Sequence, residues 1–177
     1  MRYDADIELG DAAFEARLGA VGPRALRVAT VVLGTATGAD DVVQVAMERA
    51  WRARDRYDDD RPFEPWFLRI VANTARNDRR QRGRLGALAE RSAARRPPPA
   101  STPEDDAVLA ADRRAVLTAL NRLDADDRAV LALRFVEQLS EAEVATILDC
   151  PVGTVKSRTA RAKVRLRTAL TASERPS

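Results

Sequence analysis

Ser140-Glu-Ala-Glu-Val-Ala-Thr-Ile-Leu-Asp-Cys-Pro-Val-Gly-Thr-Val-Lys-Ser-Arg-Thr-Ala-Arg-Ala-Lys163 contains a helix start, a stop and a restart. Ser140 and Glu143 stand three apart, the spacing in which each side chain satisfies an orphan amide at a helix N-terminus. Val144, Ala145 and Leu148 follow at helical intervals, predicting a helix over 141–148. Asp149-Cys150-Pro151 ends it, because proline cannot continue one helix but fits the first turn of the next. Val152, Val155, Thr159, Ala162 and Leu166 then form a second apolar stripe. The opposite face carries Gly153, Lys156, Ser157, Ala160 and Arg161, with Thr154 beside them and Arg158 and Arg165 on the flank. Such a helix-turn-helix can seat its second helix in the major groove, N-terminal end first. Lysine and arginine read guanine edges or grip phosphate there, and serine serves either role. A basic helix alone is more often an ordinary solvated face. The turn, the paired helix and the one-sided charge together favour DNA.

Working outward, composition narrows the classes. Of 177 residues only 5% are aromatic, so cores must come from Ala, Val and Leu, which favours small helical bundles. No apolar run is long enough for a membrane span, and no secretory signal pattern opens the chain. Cys150 is the single cysteine and there is no histidine. Intramolecular disulfides are excluded, and imidazole catalysis and most zinc sites fall away. A cytoplasmic location is the default expectation, with no cofactor, no metal and no small-molecule substrate.

Charge is segmented. Residues 1–60 carry net −4, residues 61–96 net +7, residues 97–150 net −6 and residues 151–177 net +6. Basic blocks point to nucleic acid; acidic ones fit either a basic protein partner or plain solubility.

Toward the N-terminus, Asp11 to Leu33 reads as helix broken near Gly22-Pro23. Phe14, Leu18 and Val21 share a face before the break, and Leu26, Ala29, Val32 and Leu33 after it. Thr37 and Asp40 fit a capping pair for a helix over 39–54. Its apolar stripe is Val43, Met47, Ala50 and Trp51, and its acidic face is Asp40, Asp41, Gln44 and Glu48. A charged loop with Asp58, Asp59 and Asp60 leads to Pro65, a helix start, and to helix over 66–82. There Phe67, Ile70, Val71, Thr74 and Ala75 form the buried stripe, while Arg69, Asn73, Arg76, Asn77 and Arg80 spread over the rest. Beside Tyr57, Phe63 and Trp66, that set has the parts for single-stranded DNA: cations for backbone, amides for base edges, aromatics for stacking. For Trp66 itself, packing against the preceding helices is the more ordinary role.

Residues 84–103 read as a linker, with Arg95-Arg96-Pro97-Pro98-Pro99 and four prolines between 97 and 103. Helix resumes over 104–123, carrying Val108, Leu109, Val116, Leu117, Leu120 and Leu123. Asp124 to Asp127 is a turn and cap, and the apolar stretch Ala129 to Phe135 packs under the helix-turn-helix. Thr171 to Ser177 reads as a frayed tail. The expected fold is all-α: two small helical domains, 11–83 and 104–170, joined by a Pro/Arg-rich linker. The second is a four-helix domain with the helix-turn-helix.

From Phe14 to Leu170 the chain resembles bacterial sigma factors of the extracytoplasmic-function type, the smallest two-domain class of the main sigma family. Three stretches carry the likeness. Ala39-Asp-Asp-Val-Val-Gln44 is similar to the segment that grips core RNA polymerase. Pro65-Trp-Phe-Leu-Arg-Ile-Val-Ala-Asn-Thr-Ala-Arg-Asn77 is similar to the segment that opens and reads the −10 element. Leu133-Arg-Phe-Val-Glu-Gln-Leu-Ser140, continued by Asp149-Cys-Pro-Val-Gly-Thr-Val-Lys-Ser-Arg158, is similar to the segment that reads the −35 element.

The resemblance implies that Asp40, Asp41, Gln44 and Glu48 contact the polymerase clamp helices. It implies that Arg69, Asn73 and Asn77 hold the unpaired −10 strand, and that the loop from Tyr57 to Glu64 forms a pocket for a flipped base. Lys156, Ser157, Ala160 and Arg161 would face the −35 bases, with Arg158 and Lys163 nearer phosphate. The linker would thread the polymerase near the RNA path, and an anti-sigma partner would control the whole. Two departures stand out. Ala160 is small where some members carry a larger side chain, and Asp58 to Asp60 is acidic for a surface near DNA.

Three other readings compete at this point. A stand-alone helix-turn-helix regulator accounts for Ser140 to Lys163 but not for the Arg/Asn helix. A metal-dependent nuclease would rest on Asp58 to Asp60, a weak metal signal without further ligands. A protein-only adaptor would not need Lys156 or Arg161.

Overall fold

The computed structural model describes residues 2–90 and 107–173. Seven α-helices run in order: α1 (Arg2–Leu33), α2 (Ala39–Arg52), α3 (Phe63–Glu90), α4 (Ala107–Leu120), α5 (Ala125–Leu131), α6 (Glu141–Leu148) and α7 (Val152–Ser173). A 3-10 turn (Arg54–Arg56) follows α2, and a π-helical turn (Ala132–Val136) extends α5. Among the described residues there is no strand.

Helices α1 to α3 form the N-terminal bundle and α4 to α7 the C-terminal one. α1 does not break at Pro23. Proline inside a helix costs about 3 kcal/mol, but Phe14, Leu18 and Val21 before it and Ala25, Val28, Ala29 and Val32 after it are all buried in one core. Packing on both sides of the proline outweighs the local cost. Ala29, Val32 and Leu33 are buried as expected, Ala25 and Val28 join them, and Leu26 is exposed.

α2 is not capped by Thr37 and Asp40. Gly38 holds the N-cap position at φ 80° with no side-chain cap, and the Thr35 hydroxyl instead accepts from the Thr37 amide at 3.1 Å. α2 buries Val42, Val43, Ala46 and Ala50, leaving Met47 and Trp51 half-buried. α3 runs on to Glu90, so residues 84–90, expected as linker, are helical. The proline cluster at 97–103 lies outside the described residues.

In the C-terminal bundle Asp124 caps α5 by accepting from the Asp127 amide at 2.7 Å. Val116 and Phe135, expected inside, are 42% and 49% exposed. The first helix of the helix-turn-helix spans Glu141–Leu148, as its spacing predicts. The capping box is complete: the Glu143 amide donates to Ser140 Oγ at 3.2 Å, and the Ser140 amide to the Glu143 carboxylate at 2.7 Å. Asp149 ends the helix at φ 53°, a left-handed conformation that aspartate tolerates better than most residues. Thr171 is helical rather than frayed, its hydroxyl donating to the Arg167 carbonyl at 3.2 Å.

Hydrogen bonding from the Ser140 side chain, then from its backbone amide, holds the Glu143 carboxyl below its ordinary value of 4.5. The stabilisation is therefore present above that value and lost as pH falls through the lowered one. Ser140→Ala is expected to cost about 1 kcal/mol at neutral pH, read from urea unfolding. The penalty should shrink in acid as Glu143 protonates in both proteins; a penalty unchanged across that range would remove the box as its cause.

The two bundles do not have separate cores. Residues of α1, α2 and α3 share one buried cluster with Ala129, Val130, Leu133, Val144, Ile147 and Val155. Two polar devices cross the junction. Arg128, 1% exposed, donates to the Leu33 carbonyl at 3.2 Å and to Asn121 Oδ1 at 3.1 Å. Asn121 in turn donates to the Gly34 carbonyl at 2.8 Å. Together they close the C-terminal end of α1, where the macrodipole favours a cation. Gly34 sits there at φ 74°, and a Cβ on it would collide with both side chains. Burial, then repulsion from Arg79, lowers Arg128 to about 10, so it stays charged at neutral pH. The second device is Glu137. Its side chain is 1% exposed and accepts from Arg24 at 2.6 Å and Arg27 at 3.0 Å.

Candidate nucleic-acid and polymerase interfaces

α7 is anchored by Val155, Thr159 and Ala162, all buried. Val152, expected in that stripe, is 47% exposed, because it is the first helical residue and clears the core. The opposite face presents Gly153, Lys156, Ser157, Ala160 and Arg161, all exposed. Ser157 donates to the Thr154 carbonyl at 3.1 Å, and Arg161 reaches the Ser157 carbonyl at 3.4 Å. Both are weak local bonds to backbone that a better acceptor can displace.

Three expected residues stand apart from this patch. Thr154 is half-buried. Lys163 lies over the Phe135 ring, 5.4 Å from its centroid. Arg158 is half-buried and turns toward α5, 4.0 Å from Asp126. Sequence reading missed the clamp that sets the helix angle: Arg165 binds Asp127 at 2.6 Å and Asp124 at 3.3 Å. Its only local signal is the pair of acids around the α5 cap.

On α3, Arg69, Asn73, Arg76 and Arg80 fall at intervals of four, three and four and form one stripe. Asn77 is exposed beside it. Arg76 Nη1 contacts Asn73 Oδ1 at 3.3 Å. The stripe meets acids of the C-terminal bundle. Arg69 pairs with Asp149 at 2.7 Å, and Arg76 and Arg80 both bond Asp126.

Tyr57, Phe63 and Trp66 join an aromatic cluster around Phe14. Ring centroids lie 6.5, 5.3 and 6.1 Å from that of Phe14, mostly edge to face, a favourable arrangement. Trp51 completes it at 5.9 Å. Burial raises the Tyr57 hydroxyl above its ordinary value, and it donates to the Arg61 carbonyl. The neighbouring acids are partly neutralised: Asp59 by Arg17 at 2.8 Å and Asp58 by Arg61 at 3.2 Å. No group of three potential metal ligands forms among the described residues.

On α2, Asp40, Asp41, Gln44 and Glu48 are all exposed on one side, with Glu48 3.6 Å from Arg52. Val45, 38% exposed, lies among them and was missed. An apolar side chain inside a polar rim is the usual build of a protein-binding patch. Behind this face Arg49 donates to the Thr74 hydroxyl at 2.9 Å, which locks α2 onto α3. Among the described residues no helix is long and apolar enough to cross a membrane.

Two family models match the chain: Sigma-70 region 2 over residues 18–85 and Sigma-70 region 4 over residues 113–166. The ECF RNA polymerase sigma-E factor of Escherichia coli (strain K12) is 36% identical over 140 residues, 70% of this chain and 69% of that protein. The RNA polymerase sigma-H factor of Pseudomonas aeruginosa is 34% identical over 144 residues, 71% and 69% of the two chains. Among solved structures, the sigma factor RpoE of Bartonella quintana in complex with the anti-sigma factor NepR is similar with TM-score 0.71. Its identity is 26%, over 92% of this chain and 99% of that one. CnrH in complex with the cytosolic domain of CnrY gives TM-score 0.65 and 28% identity, over 92% and 90%.

Proposed function

The chain belongs to the extracytoplasmic-function sigma factors, the small two-domain class of the sigma-70 family, and on that premise we propose how its surfaces divide the work of initiation. It binds core RNA polymerase and directs it to promoters. The α2 face of Asp40, Asp41, Gln44 and Glu48, with Val45, docks on the clamp helices. The Gly153, Lys156, Ser157, Ala160 and Arg161 patch of α7 reads the −35 duplex. The α3 stripe, with Asn77, holds the unpaired −10 strand. The observation that carries this best is the α7 patch: an exposed basic face on the second helix of a capped helix-turn-helix. The chain itself catalyses nothing, and phosphodiester chemistry belongs to the polymerase. It works in the cytoplasm, where polymerase and DNA are. An anti-sigma factor controls it, as the partners of the two similar solved structures suggest.

The aromatic cluster supports a refinement. Tyr57, Phe63 and Trp66 act by fixing the base-pocket loop rather than by offering open ring faces.

Run-off transcription with core polymerase on promoter-enriched fragments tests the reading. Discrete starts sharing paired upstream motifs are expected. Asn73→Ala should lower their yield by roughly 5- to 150-fold, the value of one base contact of about 1–3 kcal/mol. No starts above core polymerase alone, with the protein folded, would sink it.

A further inference from the structure

We propose that Arg165 is a positioning residue of the reading helix: it aims the α7 patch at the −35 bases by holding Asp127 and Asp124, and it does not grip DNA itself. The inference rests on assigning that patch to the −35 duplex.

Charge alone would place Arg165 among the cations that meet phosphate. Its partners give it another task. Nη1 donates to Asp127 Oδ2 at 2.6 Å and to Asp124 Oδ2 at 3.3 Å. The Asp127 side chain is 6% exposed, so little water could replace a lost cation there, and breaking such a pair from one side is costly. Asp124 at the same time caps α5 by accepting from the Asp127 amide. α5 is a firm post, because Ala125 and each residue from Asp127 to Leu131 are buried. One guanidinium thus ties the reading helix to the capped end of a buried helix.

The rest of the α7 seat has little direction. Val155, Thr159 and Ala162 are buried, but they are small, and apolar contact is non-directional. The Thr159 hydroxyl is buried with no hydrogen-bond partner among the described residues. Arg158 adds an ion pair to Asp126 at 4.0 Å, too long for a hydrogen bond. Among the described residues, the side-chain hydrogen bonds that leave α7 for another element are the two of Arg165. Those of Ser157, Arg161, Thr168 and Thr171 stay within the helix. The clamp stands about one turn beyond Arg161, and from it to Gly153 is about 18 Å of helix. A tilt of about 5° about the clamp moves that end by roughly 1.5 Å, more than a hydrogen bond tolerates.

The test uses the full chain assembled with core polymerase. Affinity is measured for a promoter fragment recovered by run-off transcription and for the same fragment with its upstream motif scrambled. The ratio of the two is the −35 discrimination. Arg165→Ala and Asp127→Asn change the charge in opposite directions, yet each should lower the ratio about fivefold or more, the lower end of one base contact. Affinity for the scrambled fragment should hardly move. Combining the two should cost no more than either alone, because they remove the same bond. Arg165→Lys keeps a cation within reach of Asp127 and should recover part of the ratio. Unfolding midpoints set a temperature at which every variant is folded. Arg165→Gln and Asp124→Asn, which keeps a good N-cap, stand in for a variant that fails to fold.

A contact that only stabilises would weaken both fragments alike and leave the ratio unchanged, which overturns the proposal. So does the pattern of a phosphate grip, in which Arg165→Ala weakens both fragments and Asp127→Asn, by freeing the arginine, tightens both. If Lys156→Ala with Arg161→Ala leaves the ratio intact, the −35 assignment itself falls, and the aiming role with it. If that pair lowers the ratio and the clamp variants do not, the assignment stands and the aiming role alone is lost.

Discussion

Alanine at both Lys156 and Arg161 is expected to abolish most promoter-specific transcription while leaving polymerase binding intact. Each is exposed on the α7 face and free to reach base edges. A good base contact contributes about 1–3 kcal/mol of discrimination. Losing two costs about 2–6 kcal/mol, a reduction between roughly 30-fold and 10⁴-fold. Val155 and Ala162, which seat the helix, are untouched, so folding should be preserved. Quantitative run-off on the preferred promoter, beside a pull-down of core polymerase, reads both effects. A double variant that transcribes within about threefold of the parent would place −35 recognition elsewhere. Lys163→Ala should act differently: under the proposed assignment it grips phosphate rather than a base, so its loss should weaken all promoters alike.

The second large effect concerns stability. Phe67→Ala should destabilise the protein by about 3–5 kcal/mol, the usual cost of emptying a buried phenylalanine site. Phe67 is fully buried and stacks on Phe63 with centroids 6.1 Å apart and rings at 16°. Its neighbours are held by α1 and α2 from outside and cannot collapse far into the void. Proteins of this kind have about 5–15 kcal/mol in total, so the loss is a large share. Because the buried cluster spans both bundles, unfolding should remain one transition, with the midpoint lowered by roughly 6–20 °C. Val164→Ala, on a side chain 64% exposed, should stay within about 0.5 kcal/mol. A Phe67→Ala protein melting like the parent would mean the core is looser than its packing implies.

What could be read from the sequence was what local chemistry specifies. Ser140 with Glu143, and Pro151 three residues past the helix, mark the helix-turn-helix within a dozen residues of themselves. The α3 stripe was legible from spacing alone. Pro23 misled, because its cost is local and the packing that offsets it is not. Thr37 and Asp40 had capping spacing, but the left-handed Gly38 between them took the N-cap position. Least legible was the junction of the two bundles. Arg128 closes a helix end 95 residues away, and Glu137 receives arginines 110 and 113 residues away. No periodicity or motif links such positions, and the linker made independent bundles the simpler expectation.

Asp126 lies within bonding reach of Arg76 and Arg80 and 4.0 Å from Arg158, and this shapes how mutational data on the protein must be combined. Substitutions sharing one partner do not add. Under the proposed strand assignment, Arg76→Ala removes a cation from the strand's path and at the same time unties Asp126 from one of its partners on α3. Substitutions at these four positions form one epistatic unit, and effects scored singly will not add up to the effect of changing them together.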